Sequence, residues 1–79
     1  DPAAQSRRAE LAALVRAAVA ALPAEERAMV ILAKWEEKSY EEIAEIMGCS
    51  VDAVKSRLYR ARKTLREQLK DHVKEHERT

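Results

Sequence analysis

The sequence predicts an all-α fold, a small domain of four helices whose last two form a helix-turn-helix. Its composition favours helix, because Ala, Leu, Glu, Arg and Lys are abundant among the 79 residues, while Gly occurs once and Pro twice. Apolar residues recur every three or four positions along most of the chain, as on one face of a helix. Only Gly48 and Cys49 separate the third predicted helix from the cap of the fourth, and so short a turn makes two helices cross steeply.

The first predicted helix begins near Arg7 and follows residues 1–6, which we expect to be a flexible lead-in or linker. Alanines raise the helix propensity of this segment. One apolar stripe runs along it, formed by Leu11, Leu14, Val15, Ala18, Val19 and Leu22. We interpret this helix as a packing element that carries no site.

Leu22-Pro23 separates the first two helices, because proline is tolerated in the first turn of a helix but disfavours helix in the residue before it. The second helix is predicted to begin near Pro23 and to end around Glu37. Met29, Val30, Leu32, Ala33 and Trp35 supply its apolar content. With only three aromatic residues in the chain, we interpret Trp35 as a core side chain rather than as an anchor for a partner.

The third helix follows Ser39. Ser39 and Glu42 have the spacing of a capping box. An apolar stripe of Ile43, Ala44, Ile46 and Met47 comes next. Gly48 ends the helix, since a tight turn requires a residue that reaches positive φ without penalty. Cys49 is expected to be a small buried thiol that plugs the turn.

Ser50 is placed to cap the fourth helix, whose apolar stripe is Val51, Val54, Leu58, Ala61 and Leu65. The opposite face carries Asp52, Lys55, Ser56, Tyr59, Arg60 and Lys63. Donors and an aromatic ring on a protruding helix suit the major groove of DNA. The alternative is the solvated basic face of an ordinary bundle helix, and the attached helix-turn-helix pattern favours DNA binding.

The net charge of +1 conceals an uneven distribution. Residues 51–70 contain seven basic and two acidic residues, a balance of +5. Residues 22–50 contain three basic and seven acidic ones, a balance of −4. The basic helix is suited to phosphate, and the acidic half is expected to face elsewhere, where it could meet a basic protein partner.

The domain itself is predicted to span residues 7–70, and residues 71–79 to form a charged tail that frays in solvent. His72 and His76 lie in this tail at a spacing that could bind a metal, but with no cysteine partner we interpret them as solvated. No metal or cofactor is expected.

The sequence argues against an enzyme, because it contains no catalytic triad, paired-carboxylate pocket or glycine-rich phosphate loop. No apolar run reaches the roughly 18 residues that span a bilayer, and no segment resembles a signal peptide. A single cysteine excludes an internal disulfide. We therefore predict a cytoplasmic, non-catalytic protein.

Together these residues resemble a known family. They are Leu22-Pro23, Arg27, Ser39-Tyr40-Glu41-Glu42-Ile43-Ala44, Gly48-Cys49-Ser50 and Val54-Lys55-Ser56-Arg57-Leu58-Tyr59-Arg60-Ala61-Arg62. This combination is similar to region four of bacterial RNA polymerase sigma factors, in particular the extracytoplasmic-function (group IV) type of the sigma-70 superfamily. The resemblance covers residues 11–69 and implies a winged-helix-like DNA-binding fold without a wing.

The resemblance implies a domain that recognises the promoter −35 element in double-stranded DNA and docks on the β-subunit flap of RNA polymerase. It also implies an anti-sigma factor as a partner, and we expect a monomer. At the positions that match the family's motif, the resemblance implies contacts to DNA bases and backbone from Lys55, Ser56, Tyr59 and Arg60. Phosphate contacts are then expected from Arg57, Arg62 and Lys63, and from backbone N–H groups at Ser39 and Tyr40. Since the region that melts the −10 element is absent, the sequence is interpreted as an excised domain.

Two features depart from the family pattern. Where the family usually has Gly and an apolar residue before the Ser of the third helix, this chain has Glu37 and Lys38. The segment could be continued helix or a strained cap. Asp52, at the start of the fourth helix, favours the helix dipole but repels phosphate. It could accept a hydrogen bond from cytosine or keep that flank away from DNA.

Two alternative functions remain. One is the effector domain of a response or quorum-type regulator, which dimerises through its last helix; Leu65, Leu69 and Val73 could serve this purpose. The other is a sigma-like mimic that binds an anti-sigma factor without DNA. Dimer formation would favour the first, and strong partner binding without duplex affinity the second.

Overall fold

A computed structural model describes residues 2–78, with side chains described for residues 2–70. The chain forms α1 (Pro2–Ala20), α2 (Ala24–Lys34), α3 (Tyr40–Met47) and α4 (Val51–Arg78). The predicted four-helix, all-α architecture is thereby confirmed for the described residues. α4 packs against each of the other three helices and forms the centre of the domain.

The first helix begins at Pro2, earlier than the predicted start near Arg7. Proline suits the first helical position because its ring already holds φ at a helical value, and Ala3, Ala4 and Gln5 favour helix. Residues 2–6 are therefore helical rather than irregular. That this segment serves as a linker, and that residues 71–79 fray, stay predictions; the side chains of 71–79, including His72 and His76, lie outside the described part.

The core is formed where α4 meets the other helices. Met29, Ile43, Val54 and Leu58 are its largest fully buried side chains. The complete buried cluster comprises Val19, Leu22, Met29, Val30, Ile43, Ala44, Val54, Leu58 and Ala61. The predicted stripe of α4 is thus confirmed, with Val51 and Leu65 packed at its margins.

The joint between α1 and α2 explains the Leu-Pro-Arg part of the sequence motif. Leu22 is buried, and Pro23 is the N-cap of α2 with φ −52° and ψ 146°. Nη1 of Arg27 donates a hydrogen bond to the carbonyl of Ala20 over 3.1 Å. This bond satisfies a carbonyl at the end of α1 that has no partner in its own helix.

The second helix ends at Lys34 rather than near Glu37. The N–H groups of Trp35 and Glu36 both donate to the carbonyl of Ile31, and that of Lys38 donates to Leu32 over 3.0 Å. Glu37 has φ +53°, in the left-handed region that favours glycine. Of the two possibilities left open by the sequence, the segment is the strained cap.

Two predicted core residues are exposed. Trp35 retains 47% of its surface because it lies one helical turn after the exposed Ile31, on the outward side of α2. Ile46 is 57% exposed. In α3 the inward side is occupied by Ile43, Ala44 and Met47, and Ile46 lies beyond its edge.

The turn between α3 and α4 follows the prediction closely. Oγ of Ser39 accepts from the Glu42 N–H over 3.1 Å, and Oε1 of Glu42 accepts from the Ser39 N–H over 2.9 Å. Hydrogen bonding from Ser39 to the carboxylate, chiefly through the Ser39 backbone N–H, lowers the pKa of Glu42 because it favours the charged form. Gly48 has φ +68°, and Oγ of Ser50 caps α4 by accepting from Ala53. Cys49 packs on the core but is half-buried, not buried as expected.

Candidate nucleic-acid interface

The exposed side of α4 brings together five of the residues predicted to contact DNA. Lys55, Ser56, Tyr59, Arg60 and Lys63 are all exposed, and we call this set the recognition face. Val54, Leu58 and Ala61 on the other side are buried, which fixes the rotation of the helix. Tyr59 is 64% exposed, and such a large ring exposed in an otherwise polar face is suited to stacking or apolar contact.

The cations of the recognition face are not engaged elsewhere. Lys55, Arg60 and Lys63 form no ion pair within the part of the chain whose side chains are described. Their charges are therefore available to a polyanion, and they lie within about two turns of one helix. An exposed helix with unpaired cations on one side is the arrangement by which a helix-turn-helix binds the major groove.

Arg57 lies in a different environment from the cations of the recognition face. Its Nη1 is 2.7 Å from Oε1 of Glu25 in α2, and its side chain is 29% exposed against 54% for Glu25. This buried nitrogen makes no well-aligned hydrogen bond to any described residue, so the contact is an ion pair without hydrogen-bond geometry. The phosphate contact of Arg57 stays a prediction. In the structure its guanidinium is paired with Glu25 inside the domain.

The other residues predicted to contact phosphate are dispersed. Ser39 is used by the capping box, and Tyr40 is half-buried against the core. The N–H groups of Tyr40 and Glu41, in the first turn of α3, have no hydrogen-bond partner among the described residues. Arg62 is exposed but lies on the flank of α4 that faces α1 and α2.

A groove with a volume of about 620 Å³ runs between α1, α2 and α4, away from the recognition face. Its floor is apolar, with Leu58 and Leu65 among its lining residues. Its charged lining residues, Lys34, Arg62 and Arg66, are all basic. We call it the basic groove.

An adjoining hollow of about 270 Å³ contains the exposed Trp35 and Ile31. Arg16 and Arg27 are its charged lining residues. The partner surface suggested by these hollows is therefore basic and apolar, whereas the sequence had indicated an acidic one. Two of the acidic side chains between residues 22 and 50 have partners within the domain: Glu25 pairs with Arg57, and Glu42 closes the capping box. The exposure of Trp35 could have been suspected from its spacing, since it lies five residues after Val30 and six after Met29 and so does not share their side of the helix.

In the described part of the chain, no three His, Cys, Asp or Glu residues are grouped as metal ligands. Nor does any of its helices have the length and apolar character needed to cross a membrane.

The fold and the recognition face define a helix-turn-helix domain of the DNA-binding class. A family model described as sigma-70, region 4, matches residues 12–65. The chain belongs to this family, and the resemblance found in its motifs is confirmed.

Curated sigma factors are similar to the chain over most of its length. It is 43% identical over 65 residues to the ECF RNA polymerase sigma factor SigE of Mycolicibacterium smegmatis, an alignment covering 82% of this chain and 25% of the relative. It is 37% identical over 68 residues to the RNA polymerase sigma-H factor of Pseudomonas aeruginosa, covering 86% and 35%. It is 44% identical over 57 residues to the RNA polymerase sigma-E factor of Streptomyces antibioticus, an alignment covering 72% of this chain and 32% of the relative. The chain thus spans about a quarter to a third of these relatives.

Proposed function

We propose that this chain is the domain by which an extracytoplasmic-function sigma factor recognises the promoter −35 element and directs RNA polymerase to it. The observation that carries the proposal is the recognition face, on which Lys55, Arg60 and Lys63 are exposed and unpaired among the described residues. The domain acts by binding, without catalysis. The family and its relatives' names support the same function.

Within this proposal the residues have different tasks. Lys55 and Arg60 donate to base edges, and either of them on guanine would contribute about 1–3 kcal/mol of base discrimination. Ser56 contacts a base or the backbone, and Tyr59 makes apolar contact. Lys63 and the first-turn N–H groups of α3 contact phosphates, which adds affinity that falls with salt.

RNA polymerase is the proposed protein partner, through its β-subunit flap. The basic groove and the hollow at Trp35 support this assignment, because they are apolar surfaces away from the recognition face. A monomer could then bind promoter and polymerase at the same time. An anti-sigma factor would act by covering one of these two surfaces.

The experiment is a selection from randomised duplexes at low salt. The wild-type chain should enrich a short motif, and Lys55→Ala/Arg60→Ala should lose it, because the donors that read bases are gone. The matched control is Arg16→Ala/Lys34→Ala, which removes the same charge from the opposite surface and should keep the motif.

Two results would contradict the proposal. If the recognition-face variant still enriches the same motif, the assigned face is wrong. If the folded wild-type chain enriches nothing, the alternative of a sigma-like mimic that binds only proteins takes its place. Helical circular dichroism on each variant establishes that it is folded.

A further inference from the structure

Asp52 is an acidic residue at the N-terminal edge of the recognition face. It is exposed in the first turn of α4, three residues before Lys55 and four before Ser56. Residues at these spacings share one side of a helix. The carboxylate of Asp52 therefore lies on the surface that the proposed function turns toward DNA.

The fold does not need this carboxylate as a cap or as an ion-pair partner. Ser50 already caps α4, since its Oγ accepts from the Ala53 N–H over 3.1 Å. Asp52 forms no ion pair with any residue whose side chain is described. Its only intramolecular benefit is the weak one of a negative charge near a helix N-terminus. Its oxygens are free to accept hydrogen bonds from a ligand.

The position of Asp52 directs it to bases. In a helix-turn-helix the N-terminal residues of the second helix contact base edges in the major groove. Asp52 precedes Lys55 and Ser56 by about 5 Å along the helix axis, at roughly 1.5 Å per residue. Base pairs are stacked about 3.4 Å apart, so Asp52 reaches one or two pairs beyond those that Lys55 and Ser56 contact.

The chemistry of a carboxylate restricts which base it can contact. An ionised carboxylate only accepts hydrogen bonds. In the major groove guanine presents two acceptors and thymine one acceptor, so both repel it, whereas cytosine presents the N4 amino donor. Adenine offers a donor beside the acceptor N7, which suits an amide better than two carboxylate oxygens.

We propose that Asp52 is a specificity-determining residue that selects cytosine at one base pair on the edge of the motif, next to the pairs contacted by Lys55 and Ser56. This inference rests on the proposed function. The carboxylate weakens binding to every duplex by repelling phosphate, and it weakens binding least where the N4 amine of a cytosine donates a hydrogen bond to it. Discrimination thus comes from a residue that does not raise overall affinity.

The test is the same duplex selection with Asp52→Ala, Asp52→Asn and Glu67→Ala beside the wild type. Asp52→Ala should lose a cytosine preference of about ten-fold at one edge pair, while the rest of the motif is unchanged. Asp52→Asn should shift that preference to adenine, because an amide both donates and accepts. Glu67→Ala, which removes the same charge about four turns further along α4, should leave every preference unchanged.

The outcomes separate this inference from the function on which it rests. If the wild type enriches a motif and Asp52→Ala enriches the same motif with uniformly higher affinity, Asp52 acts only by repulsion and the inference is overturned alone. If a folded wild-type chain enriches no motif, both are overturned. Loss of the edge preference in Glu67→Ala as well would also overturn it, since net charge would then suffice.

Discussion

Glu37 has a backbone conformation that ordinarily belongs to glycine. At φ +53° its Cβ crowds the neighbouring carbonyl, at a cost of about 1–2 kcal/mol for a residue other than glycine. Glycine at this position would remove that cost but add freedom to the unfolded chain. The cap is thus a local source of instability in a domain whose small size already limits its stability.

Glu37→Gly should therefore raise the free energy of unfolding by roughly 0.5–1 kcal/mol. The measurement is the urea midpoint followed by helical circular dichroism. Glu36→Gly is the matched control: it removes the same charge at a residue whose φ is not positive, and should give no gain. Equal effects of the two changes would show that charge, rather than backbone strain, is responsible.

At the scale of elements, the Arg57–Glu25 pair links α4 to α2. The guanidinium lies mostly inside the domain, and Glu25 is in the first turn of α2, where a negative charge also favours the helix dipole. The pair holds the two helices together across the core. Because Glu25 is half exposed, solvent screens the attraction and its contribution is small.

A double-mutant cycle of Glu25→Ala and Arg57→Ala should give a coupling of about 0.2–1 kcal/mol in unfolding free energy. If Arg57 serves this pair and not a phosphate, Arg57→Ala also leaves the salt dependence of duplex binding unchanged. If Arg57→Ala instead reduces the slope of log binding constant against log salt concentration by about 0.9, Arg57 contacts a phosphate. Lys63→Ala provides the comparison, since its slope should fall by that amount.

The elements also show how far the sequence could predict the fold. Ser39, Glu42 and Gly48 act within one or two turns, so their spacing was enough to locate α3 and the turn after it. The stripe of α4 was equally informative because its period identifies the buried side. The partner of Arg57 depends on contacts between distant segments, which no local pattern encodes. Trp35 was wrongly assigned to the core although its spacing from Met29 and Val30 places it on the outward side of α2. The recognition face was predictable for the same reason as the stripe, being its opposite side.

At the scale of the whole molecule, two surfaces of different character lie apart, the recognition face on α4 and the hollow at Trp35 between α1 and α2. The recognition face is polar and holds unpaired cations among the described residues, whereas the hollow at Trp35 is apolar with basic side chains around it. An exposed tryptophan in such a surface is a strong candidate for a binding hot spot. The separation of the surfaces predicts that substitutions will affect one activity at a time.

Trp35→Ala should weaken binding of the domain to RNA polymerase core by more than about 2 kcal/mol and leave the selected DNA motif unchanged. Ile46→Ala truncates an exposed apolar residue on a different helix, α3. It should change neither the affinity for the polymerase nor the selected DNA motif. Affinity for the polymerase is measured by calorimetry on the purified proteins. A polymerase affinity that drops for Ile46→Ala but not for Trp35→Ala would place the docking surface on α3.

The turn of Gly48 and Cys49 leaves no spare chain between the two helices of the DNA-binding motif. Inserting one residue within the first turns of α4 would rotate the residues after it by about 100° relative to those before it, so the recognition face and the buried stripe could not both stay continuous. New base preferences are therefore expected from exchanging exposed side chains of α4 one at a time, whereas an insertion within α4 would also disturb its buried stripe.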